Sequence, residues 1–265
     1  MTEPALIVLQ DGPVLRLTMN RPDRLNALDG ELVQSLREIF AGLAWRPEVR
    51  VVVLAGAGRA FCAGLDLKHD GPSFASRGVT SALTDQRKIS EIVVAMRRCP
   101  QPIVALVDGP ASGGGFALAL ASDVRIATPR TRMNAAFIRI GLSACDIGVS
   151  YFLPRMVGSA VASEYMLTGR FITAEKALAL GLVSQVVAPE EIAAVGEELV
   201  ADMLRATPAG LRLTKEALNH AIDAGSLEAV IAMEDRNQVL SSRSEDFDEG
   251  IKAFLEKREP HYKGA

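Results

Sequence analysis

Two glycine-rich turns carry the residue types best suited to chemistry in this chain. They are Ala60-Phe61-Cys62-Ala63-Gly64-Leu65-Asp66-Leu67 and Asp108-Gly109-Pro110-Ala111-Ser112-Gly113-Gly114-Gly115. Each follows an apolar run that reads as a buried strand, residues 49–54 and 103–107, and parallel α/β folds place ligands at such strand ends. Three successive glycines ahead of the apolar residues 116–120 allow unusual backbone angles and bring a ligand close to the N–H groups of a helix N-terminus. Amides so placed suit an oxyanion. Alone, the triplet is unspecific, because glycine-rich turns occur in many tight loops. It is not a phosphate loop, since the Gly-Lys-Ser/Thr ending and the GxGxxG spacing are both missing.

A carboxylate stands in a third apolar segment, Gly141-Leu142-Ser143-Ala144-Cys145-Asp146-Ile147-Gly148. Partial desolvation there raises the pKa of Asp146 and suits it to general acid/base work; the competing role is the cap of a helix starting near Val149. Cys145 and Cys62 read as small packing residues rather than nucleophiles. His69, after Asp66-Leu67-Lys68, is either an acid/base group or a surface residue. His220 and His261 lie in helical or terminal sequence, and no His, Asp or Glu pair has metal-ligand spacing.

These groups need a scaffold, and the hydrophobic pattern supplies one. Residues 6–9 and 14–19 read as a hairpin around Asp11-Gly12-Pro13. Asp29 caps a helix with Leu32, Leu36, Ile39, Phe40 and Leu43 on one face, before the strand 49–54, whose lack of alternation implies cover on both sides. A helix over 84–98 stops at Pro100 and Pro102 and leads to the strand 103–107. Strands at 124–127 and 183–187 follow, with Thr173 capping a helix over 174–180 that Gly181 ends in a left-handed turn. From Pro189 onward the pattern is helical, over 190–205, 209–224, 227–241 and 246–257.

The 265 residues, 49% of them hydrophobic, can bury a large core without disulfides. A net charge of −3 gives no basic excess for nucleic acid. Three cysteines read as reduced thiols of a cytoplasmic protein. The start of the chain lacks a signal-peptide pattern, and no apolar run approaches the ~20 residues of a membrane span.

Taken in order, five blocks resemble the crotonase (enoyl-CoA hydratase/isomerase) family over essentially the whole chain. They are Asn20-Arg21-Pro22 with Leu25-Asn26-Ala27-Leu28, the Ala60 to Leu67 turn, Gly109 to Gly115, Leu167-Thr168-Gly169-Arg170 with Gly181-Leu182-Val183, and Phe254-Leu255-Glu256-Lys257-Arg258. The resemblance implies an α/β spiral of ββα units over residues 1–188. It also implies a helical C-terminal region over 189–265 that assembles trimers or hexamers. The implied substrate is an acyl-CoA thioester, with no cofactor beyond the coenzyme A it carries. Position by position, the family's oxyanion-hole amides fall on Ala63 and Gly114. Ala63, Gly64, Leu65 and Asp66 would line the coenzyme A path, and Arg24 and Lys257 would meet its phosphates. For Asp66 a turn or cap role, and for Arg24 and Lys257 a solvated surface charge, are the alternatives.

The chain departs from the family where hydratases keep two glutamates, because those positions are Ala117 and Phe137, neither able to transfer a proton. Asp146 is similar in placement to the aspartate that dienoyl-CoA isomerases use as an acid and aryl-CoA dehalogenases use as a nucleophile. Three functions stay open: a hydratase or isomerase working through Ala63, Gly114 and Asp146; a hydrolase, dehalogenase or C–C lyase using Asp146; and a thioester-binding protein without catalysis.

Overall fold

The computed structural model describes residues 3–68 and 78–264, so His69 lies outside the described residues. The chain opens with the expected hairpin, β1 (Leu6–Asp11) antiparallel to β2 (Val14–Met19). Asp29 caps α1 (Gly30–Gly42), its carboxylate accepting from the Leu32 amide at 2.9 Å, and the helix buries Leu32, Val33, Leu36 and Phe40. β3 (Val51–Gly56) pairs in parallel with β2, and β4 (Ile103–Val107) pairs in parallel with β3. Between them α2 (Val79–Arg98) starts earlier than its periodicity predicts, because its first turn is mostly exposed and carries no apolar stripe.

The chain continues through β5 (Pro110–Ser112), α3 (Gly114–Ala121), β6 (Val124–Ala127) and β7 (Arg132–Asn134). It then forms α4 (Val149–Val157), α5 (Ser159–Thr168), β8 (Ile172–Thr173), α6 (Ala174–Ala179) and β9 (Gln185–Val186). Thr173 caps α6 by accepting from the Lys176 amide, and Gly181 is left-handed at φ 71, as the sequence requires. One sheet runs β1-β2-β3-β4-β6-β9, and a smaller one runs β5-β7-β8. A single bridge between Cys62 and Ala111 links the segments that leave β3 and β4, so both glycine-rich turns sit together beyond the carboxyl ends of parallel strands.

The strand with no alternation is covered on both faces. Val52 and Leu54 join the main core with α1, α2 and α3, while Val51 and Val53 pack with Ile192 and Val200 of α7 (Ile192–Leu204). The first helix of the region expected to begin at residue 189 therefore belongs to the α/β body, because it supplies the second apolar cover that the sheet needs. Helices α8 (Pro208–Ala221), α9 (Leu227–Ser241) and α10 (Glu245–Glu256) follow. Lys215 ties α8 to the body: its buried ammonium pairs with Asp123 at 2.8 Å and donates to the Gln101 carbonyl at 2.8 Å and the Met96 carbonyl at 3.1 Å. Among the described residues no helix is long and apolar enough to cross a membrane.

Candidate active site

Residues 21–29 form a template on which the first glycine-rich turn is laid. Leu25 and Asn26 are left-handed, at φ 52 and 54. Asn26 is fully buried; its oxygen accepts from the Arg21 amide, and its nitrogen donates to the carbonyls of Ala57 at 2.9 Å and Ala60 at 2.7 Å. Local side-chain bonding of this kind is why asparagine tolerates the conformation. Arg21 donates to Asp66 at 2.8 Å and pairs with Asp29 at 3.1 Å, tying the turn to the cap of α1. Asp66 is buried, and its carboxylate accepts from Arg21 and the Lys68 amide, so it anchors the turn. Asp66→Ala leaves Arg21 paired with Asp29 but removes the charged hydrogen bonds that hold the turn, so it is expected to cost about 1.5–3 kcal/mol in urea unfolding.

The template decides which amides of the turn remain available. Cys62 donates to the Pro110 carbonyl at 3.1 Å, and Asp66 to that of Leu28 at 2.9 Å. The Gly64 amide bonds the Cys62 thiol, whose burial pushes its pKa up to about 12. The Ala63 amide donates to the Leu25 carbonyl at 2.9 Å, so the sequence-based placement of Ala63 in the oxyanion pair is corrected: the left-handed bend at Leu25 supplies the carbonyl that occupies it. The Leu65 amide donates to no group among the described residues. Gly114 is in the same condition, while its neighbour Gly113 donates to the Asn134 carbonyl at 3.0 Å. Inner amides without partners are rare and favour an incoming acceptor.

These two amides belong to segments in contact. The Gly114 nitrogen lies 3.3 Å from the point where a Cβ on Gly64 would stand, and Gly64 is itself left-handed at φ 93. At Gly115 a Cβ would come within 2.1 Å of the Cys62 carbonyl oxygen. Glycine is required at both positions to let the turns approach.

Asp146 lies in the loop before α4, one residue before Ile147. Gln86 of α2 donates to its carboxylate at 2.6 Å and the Ile147 amide at 2.8 Å. Its side chain caps nothing, for α4 starts after Gly148 without a side-chain cap. Burial raises the Asp146 pKa, and the hydrogen bonds from Ile147 and Gln86 offset only part of that. Ile147 is left-handed at φ 34, an outlier for a β-branched residue, and its Cδ1 lies 3.7 Å from the point of a Cβ on Gly114. The Phe137 ring stands 3.4 Å from the equivalent point on Gly113, and Ala117 is fully buried in α3. Among the described residues, Phe137 and Ile147 thus give the site an apolar wall beside Gly113 and Gly114.

A raised carboxylate pKa means that the folded state holds the proton more tightly than the unfolded chain. The Asp146 charge therefore destabilises the fold increasingly as pH rises from the unfolded pKa through the folded one, and fully above it. Asp146→Asn is expected to be more stable than the parent at pH 7 and equal to it below the unfolded pKa, as thermal unfolding across pH would show. An equal difference at all pH values would refute this.

Arg24 ends an exposed single turn, and Lys257 is the exposed, left-handed cap of α10. Among the described residues no hydrogen bond or ion pair joins either to the glycine turns. Cys145 is exposed, and among the described residues no three His, Cys, Asp or Glu side chains gather as a metal would need. A cavity of about 1190 Å³ lies between α2, α4 and α8; Ile147 and Gly148 line it, and neither glycine turn does.

A sequence model of the family described as enoyl-CoA hydratase/isomerase matches residues 10–265. A probable enoyl-CoA hydratase of Mycobacterium leprae is 40% identical over 95% of this chain and 88% of its own length. The 1,2-epoxyphenylacetyl-CoA isomerase of Escherichia coli is 34% identical over 95% of each. The crystal structure of an enoyl-CoA hydratase from Bacillus anthracis superposes with a TM-score of 0.92 at 31% identity, covering 98% of this chain and all of that one, 100%.

Proposed function

This chain belongs to the enoyl-CoA hydratase/isomerase family, within the crotonase superfamily, and from that premise we propose that it moves a proton on an acyl-CoA thioester held by the Leu65 and Gly114 amides. Both N–H groups donate to the thioester oxygen. The Asp146 carboxylate takes a proton from the α-carbon, and the electron pair of that C–H bond moves into the enolate. The protonated Asp146 then returns the proton at the γ-carbon of an enoyl chain, which shifts the double bond. Ala117 and Phe137 offer no group to activate water, so this reading favours isomerisation over hydration. No cofactor is required beyond the coenzyme A of the substrate, whose phosphates Arg24 and Lys257 would meet as surface cations.

The observation that carries this reading is the pair of unpartnered amides on touching segments. Incubation with a saturated acyl-CoA in deuterated water tests it: the reading expects enzyme-dependent loss of the α-proton signal in NMR. A tightly bound thioester with no exchange points instead to a binding protein without catalysis.

The same proposal includes a homotrimer or a dimer of trimers. α9 buries none of its residues, and Leu240 and Phe254 are 68% and 82% exposed, an apolar surface that a second copy would cover. Sedimentation should show assembly of the parent chain and its loss in the double variant Leu240→Asp, Phe254→Asp; a monomeric parent would contradict it.

A further inference from the structure

Two donors reach the Asp146 carboxylate, and both stop at the same atom. Oδ1 accepts from the Gln86 side-chain nitrogen at 2.6 Å and from the Ile147 amide at 2.8 Å. Oδ2 accepts from no group among the described residues. A proton on Oδ1 would meet both donors, so the protonated acid carries its hydrogen on Oδ2, and Oδ1 keeps its two bonds in either state. Ile147 is the next residue in sequence, whereas Gln86 reaches Asp146 from 60 positions away, on a helix fixed to the core by Ile92, Val93 and Met96. Among the described residues, Gln86 thus makes the only hydrogen bond that ties this carboxylate to another element.

We propose that Gln86 is the positioning residue for the proton transfer: it holds Oδ1 and leaves Oδ2 as the atom that takes and returns the substrate proton. The proposal rests on the reading that Asp146 is the acid/base group. The proton leaves the α-carbon for Oδ2, the electron pair of the C–H bond enters the enolate, and Oδ2 returns the proton at the γ-carbon, while the bonds at Oδ1 stay unchanged. A neutral amide is the donor this task needs. A lysine or arginine in its place would pair with the carboxylate and lower its pKa, making a poorer base, and a glutamate would compete for the proton. Glutamine donates without charge at every working pH. Burial and the hydrogen bonds from Ile147 and Gln86 are the causes that set the Asp146 pKa, with no charged group among them. Asp85 and Lys88, beside Gln86 on α2, pair with each other at 2.9 Å.

Two variants of the full chain test the assignment, Gln86→Met, which keeps length and helix propensity but no donor, and Gln86→Glu, which sets a second carboxyl beside the first. The Asp146 titration is read by carboxyl NMR of protein labelled with carbon-13 aspartate, its signal identified by its loss in Asp146→Asn. Losing one hydrogen bond to a charged group is expected to raise the Asp146 pKa by about one pH unit in Gln86→Met, and by at least as much in Gln86→Glu. The acid limb of kcat/KM should move up by the same amount, so that activity falls about tenfold more at about pH 5 than at about pH 8, with thioester affinity within about twofold. An Asp146 titration unmoved in both variants, or an equal loss of kcat/KM at every pH, would overturn the role of Gln86. If the parent then keeps an acid limb that Asp146→Asn abolishes, the reading of Asp146 survives. A titration that moves while the kcat/KM profile stays in place would overturn both.

Discussion

Turnover by Asp146→Asn is expected to fall by about 10²–10⁴-fold, the usual contribution of a positioned acid/base group, with thioester affinity nearly unchanged. The substitution keeps the shape of the side chain and its capacity to accept from Gln86 and the Ile147 amide. What it removes is the carboxylate proposed to accept the carbon-bound proton. Burial places the Asp146 pKa above the ordinary aspartate value, so the acid limb of the parent kcat/KM profile should lie above about pH 4 and vanish in the variant. A variant that retains parental turnover, or a parent profile flat through that region, would exclude Asp146 from proton transfer. Trapping of an acyl adduct on the parent Asp146 by mass spectrometry would instead establish it as a nucleophile.

Gly114→Pro should lower kcat by about 10²–10³-fold, the effect of deleting one oxyanion donor. Proline is tolerated at the first position of a helix, where its missing N–H breaks no helical bond, and Gly114 is the first residue of α3. Gly114→Ala is the control, because it keeps the amide. Its Cβ would approach Leu28 Cδ1 to 2.7 Å, a contact that the flexible end of a leucine can relieve. The account requires the proline variant to be slower than the alanine variant by at least tenfold, and equal loss in the two would attribute the effect to packing.

The scaffold was largely legible because it obeys periodic rules: the hairpin, the Asp29 and Thr173 caps, the left-handed Gly181 and the doubly covered β3 all follow from residue type and spacing. The small β5-β7-β8 sheet was not, since strands of two or three residues show no alternation. Asp66 was ambiguous because a buried and an exposed aspartate look alike until Arg21 is placed beside it. Ala63 and Leu65 differ only in backbone bonding, which no side chain reports. The available signal was the Leu25-Asn26 pair, since asparagine is enriched in left-handed bends and such a bend presents the carbonyl that engages Ala63.

In the proposed reading, electrostatic preorganisation makes the two amides effective. They would need no reorientation as charge develops on the substrate oxygen, and the apolar surroundings of Phe137, Ile147 and Leu28 would strengthen each hydrogen bond relative to water. The infrared carbonyl stretch of a thioester labelled with carbon-13 at its carbonyl reports this contact directly. On binding to the parent chain the band is predicted to move to lower frequency, and in Gly114→Pro to return part of the way toward its position in water. A bound thioester whose band matches that of the free ligand, or moves identically in both proteins, would contradict the account.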